Sequence, residues 1–485
     1  MSLSGALSNA LSGLTTQARQ ATLVSSNIAN ATTESYGRRT LDVSSRSTTW
    51  GGVTVDGVTR NTDAVVVADR RLSDAQLGYA GDMQAFASKI ETLVGESGEA
   101  GSLTTLYSNF ENALLSAGSD PSSSQRLKSL ALAAEDLTEM MNKVSGELQA
   151  SRTEADKSIE SQVETLNVSL QRVKQLNDSI GETVLRGADA SSLMDERQRV
   201  LDTVSEIVPL RTVQRDNGTL AVYAASGTVL LDPSLSSEPA QIGFTPQEPI
   251  TANLTLDNGG VYGITINGNA INSTNEGPLG GGSLGAQLQI RDVVAVDMQA
   301  ALDGIARDLV ERFETGGPDP TVGAGQTGLF TDGGNTFDPA IEVGLAGRIS
   351  LNSLVDPSGS GTWRLRDGLY AATQGNVGDA TLIQAYSDAL DELSVPNSAS
   401  LGTGTSSFSG HVSDFVSAIS AARVRADGEQ SFSSAQNTAL KELELSKGVD
   451  TDAELQDLLL IEQQYAANAR VMTAVDELMQ TLLSI

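Results

Sequence analysis

Apolar positions near the start of the chain recur in steps of four and three. Leu3, Leu7, Ala10, Leu14, Gln17, Ala21, Val24 and Ile28 form the a/d stripe of a coiled-coil-type helix, interrupted by one polar position, Gln17. The far end repeats the arrangement with Leu458, Ile461, Tyr465, Asn468, Met472, Val475, Met479 and Leu482, where Asn468 is the polar member. Thr451-Asp452-Ala453-Glu454 reads as a capping box in which the Thr451 hydroxyl takes a backbone N–H and Glu454 returns the bond. Asp450, Asp452, Glu454 and Asp457 load that first turn with charge suited to the helix dipole. An antiparallel pair that simply closes a bundle would show the same stripes. Between Met1 and Thr33, however, Arg19 is the single ionisable side chain. A helix so poor in charge has no strongly solvated face, which favours terminal helices that dock on other copies.

Between these ends the pattern alternates between helix and strand. Arg39–Asp69 reads as short strands or extended linker, Leu72–Val94 and Leu103–Leu115 as helices, and Leu193–Ile207 as a helix closed by Pro209. The longest regular stretch, Ser124–Leu185, would reach about 90 Å at ~1.5 Å per residue. Its second half steps through Ile159, Val163, Leu166, Leu170, Val173, Asn177, Ile180 and Val184, so it must pack along other helices. Leu210–Gly282 is a β insertion with hairpin turns at Asp216-Asn217-Gly218 and Asp257-Asn258-Gly259. Leu284–Phe313 returns to helix. Thr315–Thr373 is Gly-rich, a second β module or irregular loop; Ala380–Leu393 reads as a short helix and Asn397–Gly410 as a linker. His411–Lys447 is helical. The expected fold is mainly α with inserted β modules, and elongated. Residues 1–33 and 450–485 pair as a coiled coil; 34–209, 284–316 and 411–449 form a helical bundle shaft; 210–283 is a β insertion; and 317–410 is an outer β or irregular module.

Composition narrows the chemistry. Of 485 residues only 4% are aromatic, and the net charge is −30. A field of that sign repels phosphate and argues against nucleic acid and against anionic membranes. There is no cysteine and one histidine, His411, so disulfides and thiolate or His-rich metal sites are excluded. No Sec-type signal and no stretch of 18 apolar residues is found. Gly323-Ala324-Gly325-Gln326-Thr327-Gly328 matches G-x-G-x-x-G, but Pro318 and Pro320 precede it where a strand is required, so it reads as a loop. No catalytic residue, cofactor or metal site is expected.

Ser26-Asn27-Ile28-Ala29-Asn30-Ala31-Thr32-Thr33-Glu34-Ser35-Tyr36-Gly37 resembles the N-terminal motif of the bacterial flagellar rod, hook and hook-associated axial family. Asn27, Ala29, Asn30, Thr33 and Tyr36 are kept, whereas Glu34 and Ser35 stand where that family usually has Pro and Gly. Gln464-Tyr465-Ala466-Ala467-Asn468-Ala469-Arg470-Val471 resembles its C-terminal motif. Asp195-Glu196-Arg197-Gln198-Arg199-Val200-Leu201-Asp202 and Gly280-Gly281-Gly282-Ser283-Leu284-Gly285-Ala286, with Arg291-Asp292, resemble the helical domain of the hook-associated branch that joins hook to filament.

The resemblance implies a non-enzymatic structural subunit, exported without a cleaved signal and located extracellularly in the flagellum. The expected partners are further copies of itself, the hook protein, hook-associated protein 3 and an export chaperone on the C-terminal helix. The expected assembly interface comprises Leu3, Leu7, Leu14, Val24, Asn27, Ile28, Ala29, Asn30 and Tyr36 with Leu458, Ile461, Tyr465, Asn468, Met472, Val475, Met479 and Leu482. Another axial subunit, of hook or filament type, stays open as an alternative, as do an exported cell-wall hydrolase and an adhesin.

Overall fold

In the computed structural model, which describes residues 3–46, 51–96, 98–402 and 404–484, long helices open and close the chain. Residues 1, 2, 47–50, 97, 403 and 485 belong to segments read above but lie outside the described residues. Helix α1 (Leu3–Ala29) leads into an antiparallel hairpin of β1 (Arg38–Ser45) and β2 (Val53–Asn61), with Arg38 opposite Asn61 and a bulge at Asp42/Val43. Then come α2 (Ala64–Val94), α3 (Leu103–Ser119), α4 (Ser124–Leu185) and α5 (Ser191–Ile207). Val65–Val67, whose β-branched side chains suggest a strand, are instead the first turn of α2. The Asp63 side chain accepts the amides of Val65 and Val66 and starts the helix there.

The β insertion holds two three-stranded antiparallel sheets. One is β3 (Leu210–Gln214), β4 (Leu220–Ala224) and β5 (Val229–Leu231); the other is β6 (Ile242–Gly243), β7 (Thr265–Ile266) and β8 (Asn269–Ala270). The helical reading of Leu284–Phe313 resolves into α6 (Ser283–Gln289), a π turn at Ile290–Val294 and α7 (Ala295–Arg312). Beyond it, the segment to residue 407 is largely irregular around β9 (Phe330–Asp332), β10 (Ile349–Leu351), α8 (Arg364–Asp367) and α9 (Thr381–Asp391). Helices α10 (Phe408–Lys447) and α11 (Thr451–Leu483) return the chain to its start. The molecule is thus mainly helical with small antiparallel sheets. α1 pairs with α11 and α2 with α10, both antiparallel, as the contacts Asn27–Glu454 and Asn468–Gln17, and Arg70–Glu444 and Arg423–Glu91, establish.

Among the described residues the apolar interior forms two clusters. The first joins α3, the first half of α4, α7 and the irregular segment; Phe110, Phe313 and Phe330 meet edge-on at centroid distances of 5.9 and 5.4 Å. The second joins the later half of α4, α5, α6 and the β insertion. Helix α4 passes from one cluster to the other between Ala155 and Ile159, and the α6–α7 segment does so between Leu288 and Ile290. This crossing is polar. The buried Arg291 guanidinium meets Asp156 at 2.5 Å and Asp292 at 2.8 Å, and Arg152 donates to the carbonyl of Arg291 at 2.8 Å.

The glycine triplet has a packing reason. Gly280 and Gly282 lie so close to the carbonyls of Asn275 and Ile207 that a Cβ would fall 1.9 and 2.3 Å from them. The Gly-rich turn therefore lets α6 start directly against the end of α5.

Candidate assembly interface and its anchor

The seam of α1 and α11 buries Ala10, Gly13, Val24 and Asn27 on one side and Ile461, Val475 and Glu454 on the other. Leu3, Leu7, Leu14, Ile28, Leu458, Asn468 and Met472 are half-buried along it. At Gly13 the helices approach closely: a Cβ there would lie 2.8 Å from Nδ2 of Asn468, which donates to Gln17 Oε1 at 2.9 Å. The two polar members of the stripes are therefore partners.

The rest of the expected interface is not covered by the chain itself. Tyr465, Met479 and Leu482 are exposed, at 47, 41 and 61%. So are apolar residues outside the stripe: Leu11, Leu455, Leu459, Leu460, Val471 and Leu478. The stripe is thus the internal seam, and a second apolar face of α11 points away from the molecule. Sequence periodicity marked the seam and missed this face. The leucines at non-stripe positions of this helix, Leu455, Leu459, Leu460 and Leu478, were the available signal.

The base of the pair is tied by a polar knot. Asn27 Nδ2 donates to Glu454 Oε2 at 3.0 Å and to the Arg39 carbonyl at 2.9 Å, while its Oδ1 accepts from the Arg39 amide and from the Tyr36 hydroxyl. Glu454, fully buried, also accepts from Arg38 Nε at 2.6 Å. The capping-box reading is corrected here. Asp450, not Thr451, caps α11 by accepting the amides of Asp452 and Ala453, and Glu454 turns away to Asn27 and Arg38. A carboxylate that binds an arginine and an amide across the seam outcompetes its own helix start. Asn30 bonds back to the Ser26 carbonyl, and Ala29 is exposed.

Helix α5 then fastens the knot to the shaft. Asp195 accepts from the Gly37 amide at 3.1 Å and from Arg39 and Arg60, each at 2.7 Å. Gln198 accepts from Arg60 at 2.5 Å. Asp202 takes the Ser35 hydroxyl at 2.9 Å, Arg71 at 2.8 Å and Arg70 at 2.5 Å. Positions 195, 198 and 202 are spaced three and four apart, so one face of α5 presents all three. Burial pulls the Arg70 guanidinium down, and the carboxylates of Asp202, Glu444 and Asp74 more than reverse this. Arg197 lies on the other side and bonds Asn177 and the Gly218 carbonyl; burial, with Arg60 and Arg71 nearby, lowers its pKa to about 10.

A cleft of about 250 Å³ opens beside this anchor, lined among others by Glu34, Tyr36, Arg199, Glu206 and Lys441. No group of three or more His, Asp or Glu side chains is placed to hold a metal among the described residues. His411 is buried elsewhere, its Nδ1 3.0 Å from Asp308, and Ser394 reaches the same carboxylate. The acid, not the imidazole, occupies the middle, so the serine has no base to activate it. No helix among the described residues is long and apolar enough to cross a membrane.

Residues 87–318 match the family described as flagellar hook-associated protein FlgK helical domain, and residues 445–485 match the flagellar basal body rod FlgEFG protein C-terminal family. Flagellar hook-associated protein 1 of Bacillus subtilis is 22% identical over 99% of this chain and 97% of its own length. The chain is thus similar to flagellar hook-associated protein 1 along nearly its whole length. The Salmonella typhimurium member is 27% identical, and the match spans 50% of this chain and less than half, 45%, of that protein. The Escherichia coli member is 25% identical over 64% of this chain and 57% of its own length. The solved flagellar hook junction protein FlgK of Burkholderia pseudomallei has a TM-score of 0.43 and 17% identity, covering 55% of this chain and 47% of that one. Hook-associated proteins of this family are structural parts of the flagellum, not enzymes. Both the central motif that anchors the knot and the glycine triplet fall inside the helical-domain match.

Proposed function

We propose that the chain is the structural subunit of the junction between flagellar hook and filament, assembled through its terminal helices. The observation that carries this reading is the outward face of α11. A helix pair is closed on its inner seam and tied to the shaft by Asp195 and Asp202, yet it leaves Leu455, Leu459 and Leu478 uncovered. Soluble surfaces seldom keep such a patch unless another protein covers it. The similarity to flagellar hook-associated protein 1 supports a place at the hook, with copies of the chain as neighbours, the hook protein on one side and hook-associated protein 3 on the other. The same uncovered face suits a chaperone that holds α11 before export.

The test is to replace Leu459 and Leu478 by glutamate and to image flagella. Hooks without attached filaments, together with an unchanged helical circular dichroism spectrum of the purified chain, are expected. Normal filaments on the hooks of L459E/L478E cells overturn the reading, and loss of the hook itself reassigns the chain to a hook-type subunit.

A further inference from the structure

Among the described residues, neither apolar cluster takes a side chain from α1, the β1–β2 hairpin or α11. These three hold to one another: the Val53 amide donates to the Ser12 hydroxyl at 3.2 Å, and Asn27 binds both the Arg39 backbone and Glu454. Two short crossings carry the backbone from this unit to the shaft, residues 62–63 before α2 and residues 448–450 before α11. Each ends on an extended aspartate that caps the helix behind it, Asp63 at φ −85° and Asp450 at φ −86°. Element-terminal residues of this kind are where hinges take up rotation. A third contact is the turn at residues 33–37, seated on α5. Ser35 there has φ +65° and is, among the described residues, the one positive-φ position that is neither glycine nor asparagine. It is held by its hydroxyl, which donates to Asp202 at 2.9 Å, and by its carbonyl, which accepts from Arg60 at 3.1 Å. The cleft of about 250 Å³ adjoins both this turn and the second crossing: Thr33, Glu34 and Ser35 line it together with Gly448, Val449 and Thr203 of α5.

We propose that this joint is a clasped hinge. The unit of α1, the hairpin and α11 turns as one body on the shaft about residues 62–63 and 448–450. The 33–37 turn, with Arg39 and Arg60, is the clasp: seated on Asp195 and Asp202, it holds the body at one angle. Opening the clasp exchanges polar bonds for bonds to water and separates no part of either apolar cluster. It also frees Ser35 from a left-handed backbone that a serine adopts only under constraint. Both effects lower the free energy of opening, and the cleft supplies the space into which the body moves. The hinge is a property of the single chain and does not depend on the junction reading above.

Spin-label distances in the full-length chain test the hinge, and the absence of cysteine lets labels be placed at will. The exposed pair Q436C/T473C, on α10 and α11, spans the joint. S8C/T473C reports inside the terminal body, and E160C/Q436C inside the shaft. With the clasp intact, all three pairs are expected to give narrow pulsed-EPR distance distributions. Adding D195N/D202N is expected to broaden the Q436C/T473C distribution at least about two-fold and to leave the two internal pairs unchanged. A cross-joint distribution that stays as narrow with D195N/D202N as without overturns the hinge. One that is equally broad in both overturns the clasp. If S8C/T473C or E160C/Q436C broadens as much as the cross-joint pair, the bodies themselves have loosened, and rotation of one rigid body on another is overturned.

Discussion

Asp303 on α7 shows how a single side chain organises an irregular segment. Its carboxylate accepts the amides of Gly344 and Ala346 at 2.7 and 2.8 Å and the Gln299 amide nitrogen at 2.8 Å. Burial raises its pKa to about 6 in spite of these bonds. The folded chain therefore takes up a proton between about pH 4 and 6 that the unfolded chain does not. This group opposes folding at pH 7, and the penalty is relieved as pH falls through 6. A carbon NMR titration of Asp303 should show a midpoint near 6. D303N, which turns a donor toward an amide donor, should lower stability at pH 7 by about 1–3 kcal/mol in chemical denaturation. At this scale the sequence was only partly legible. Stripe membership of Gln17 and Asn468 anticipated their meeting. Apart from Gln299, one turn away, the partners of Asp303 were not readable, nor were those of Glu454 and Asp195, because they lie far along the chain and local spacing carries no trace of them.

Helices were the best-read level. Ser124–Leu185 has the limits its apolar period suggested, since a 62-residue helix repeats the signal many times; Ser123, which the sequence reading did not single out, caps its start. The α6–α7 segment reads as one helix by period and contains a π turn, because Arg291 must be turned inward to reach Asp156. Replacing Arg291 by methionine removes the shared cation and leaves the buried Asp156 and its neighbour Asp292 facing each other. A loss of about 3–5 kcal/mol is expected from equilibrium urea unfolding. Within 317–407 the short helix read at Ala380–Leu393 is α9, whereas the rest of the segment was legible only as Gly-rich. Its apolar residues occur in runs too short to show a period, and its shape is set by the phenylalanines and by Asp303 rather than by its own repeats.

For the molecule as a whole, the pairing of the first and last helices followed from the sequence, whereas the division of its interior did not. Among the described residues the apolar interior falls into two clusters, with the polar Arg152–Asp156–Arg291 group where α4 passes between them, and separate cores open as separate cooperative units. Native-state hydrogen exchange should accordingly sort the slow amides of α4 into two classes with different opening free energies, dividing between Ala155 and Ile159. A single class along all of α4 would contradict this division.

The contrast between the acidic body and helix α1, where Arg19 is the single ionisable side chain, has a colloidal consequence. Copies of a polypeptide carrying −30 hold one another at bay over a screening length of roughly 8 Å at physiological ionic strength. Within that range the exposed Leu11 and its uncharged neighbours on α1 meet little opposition. Dispersal while free and cohesion once delivered to a growing end are thus written into different parts of the same chain, and the salt concentration sets where one gives way to the other.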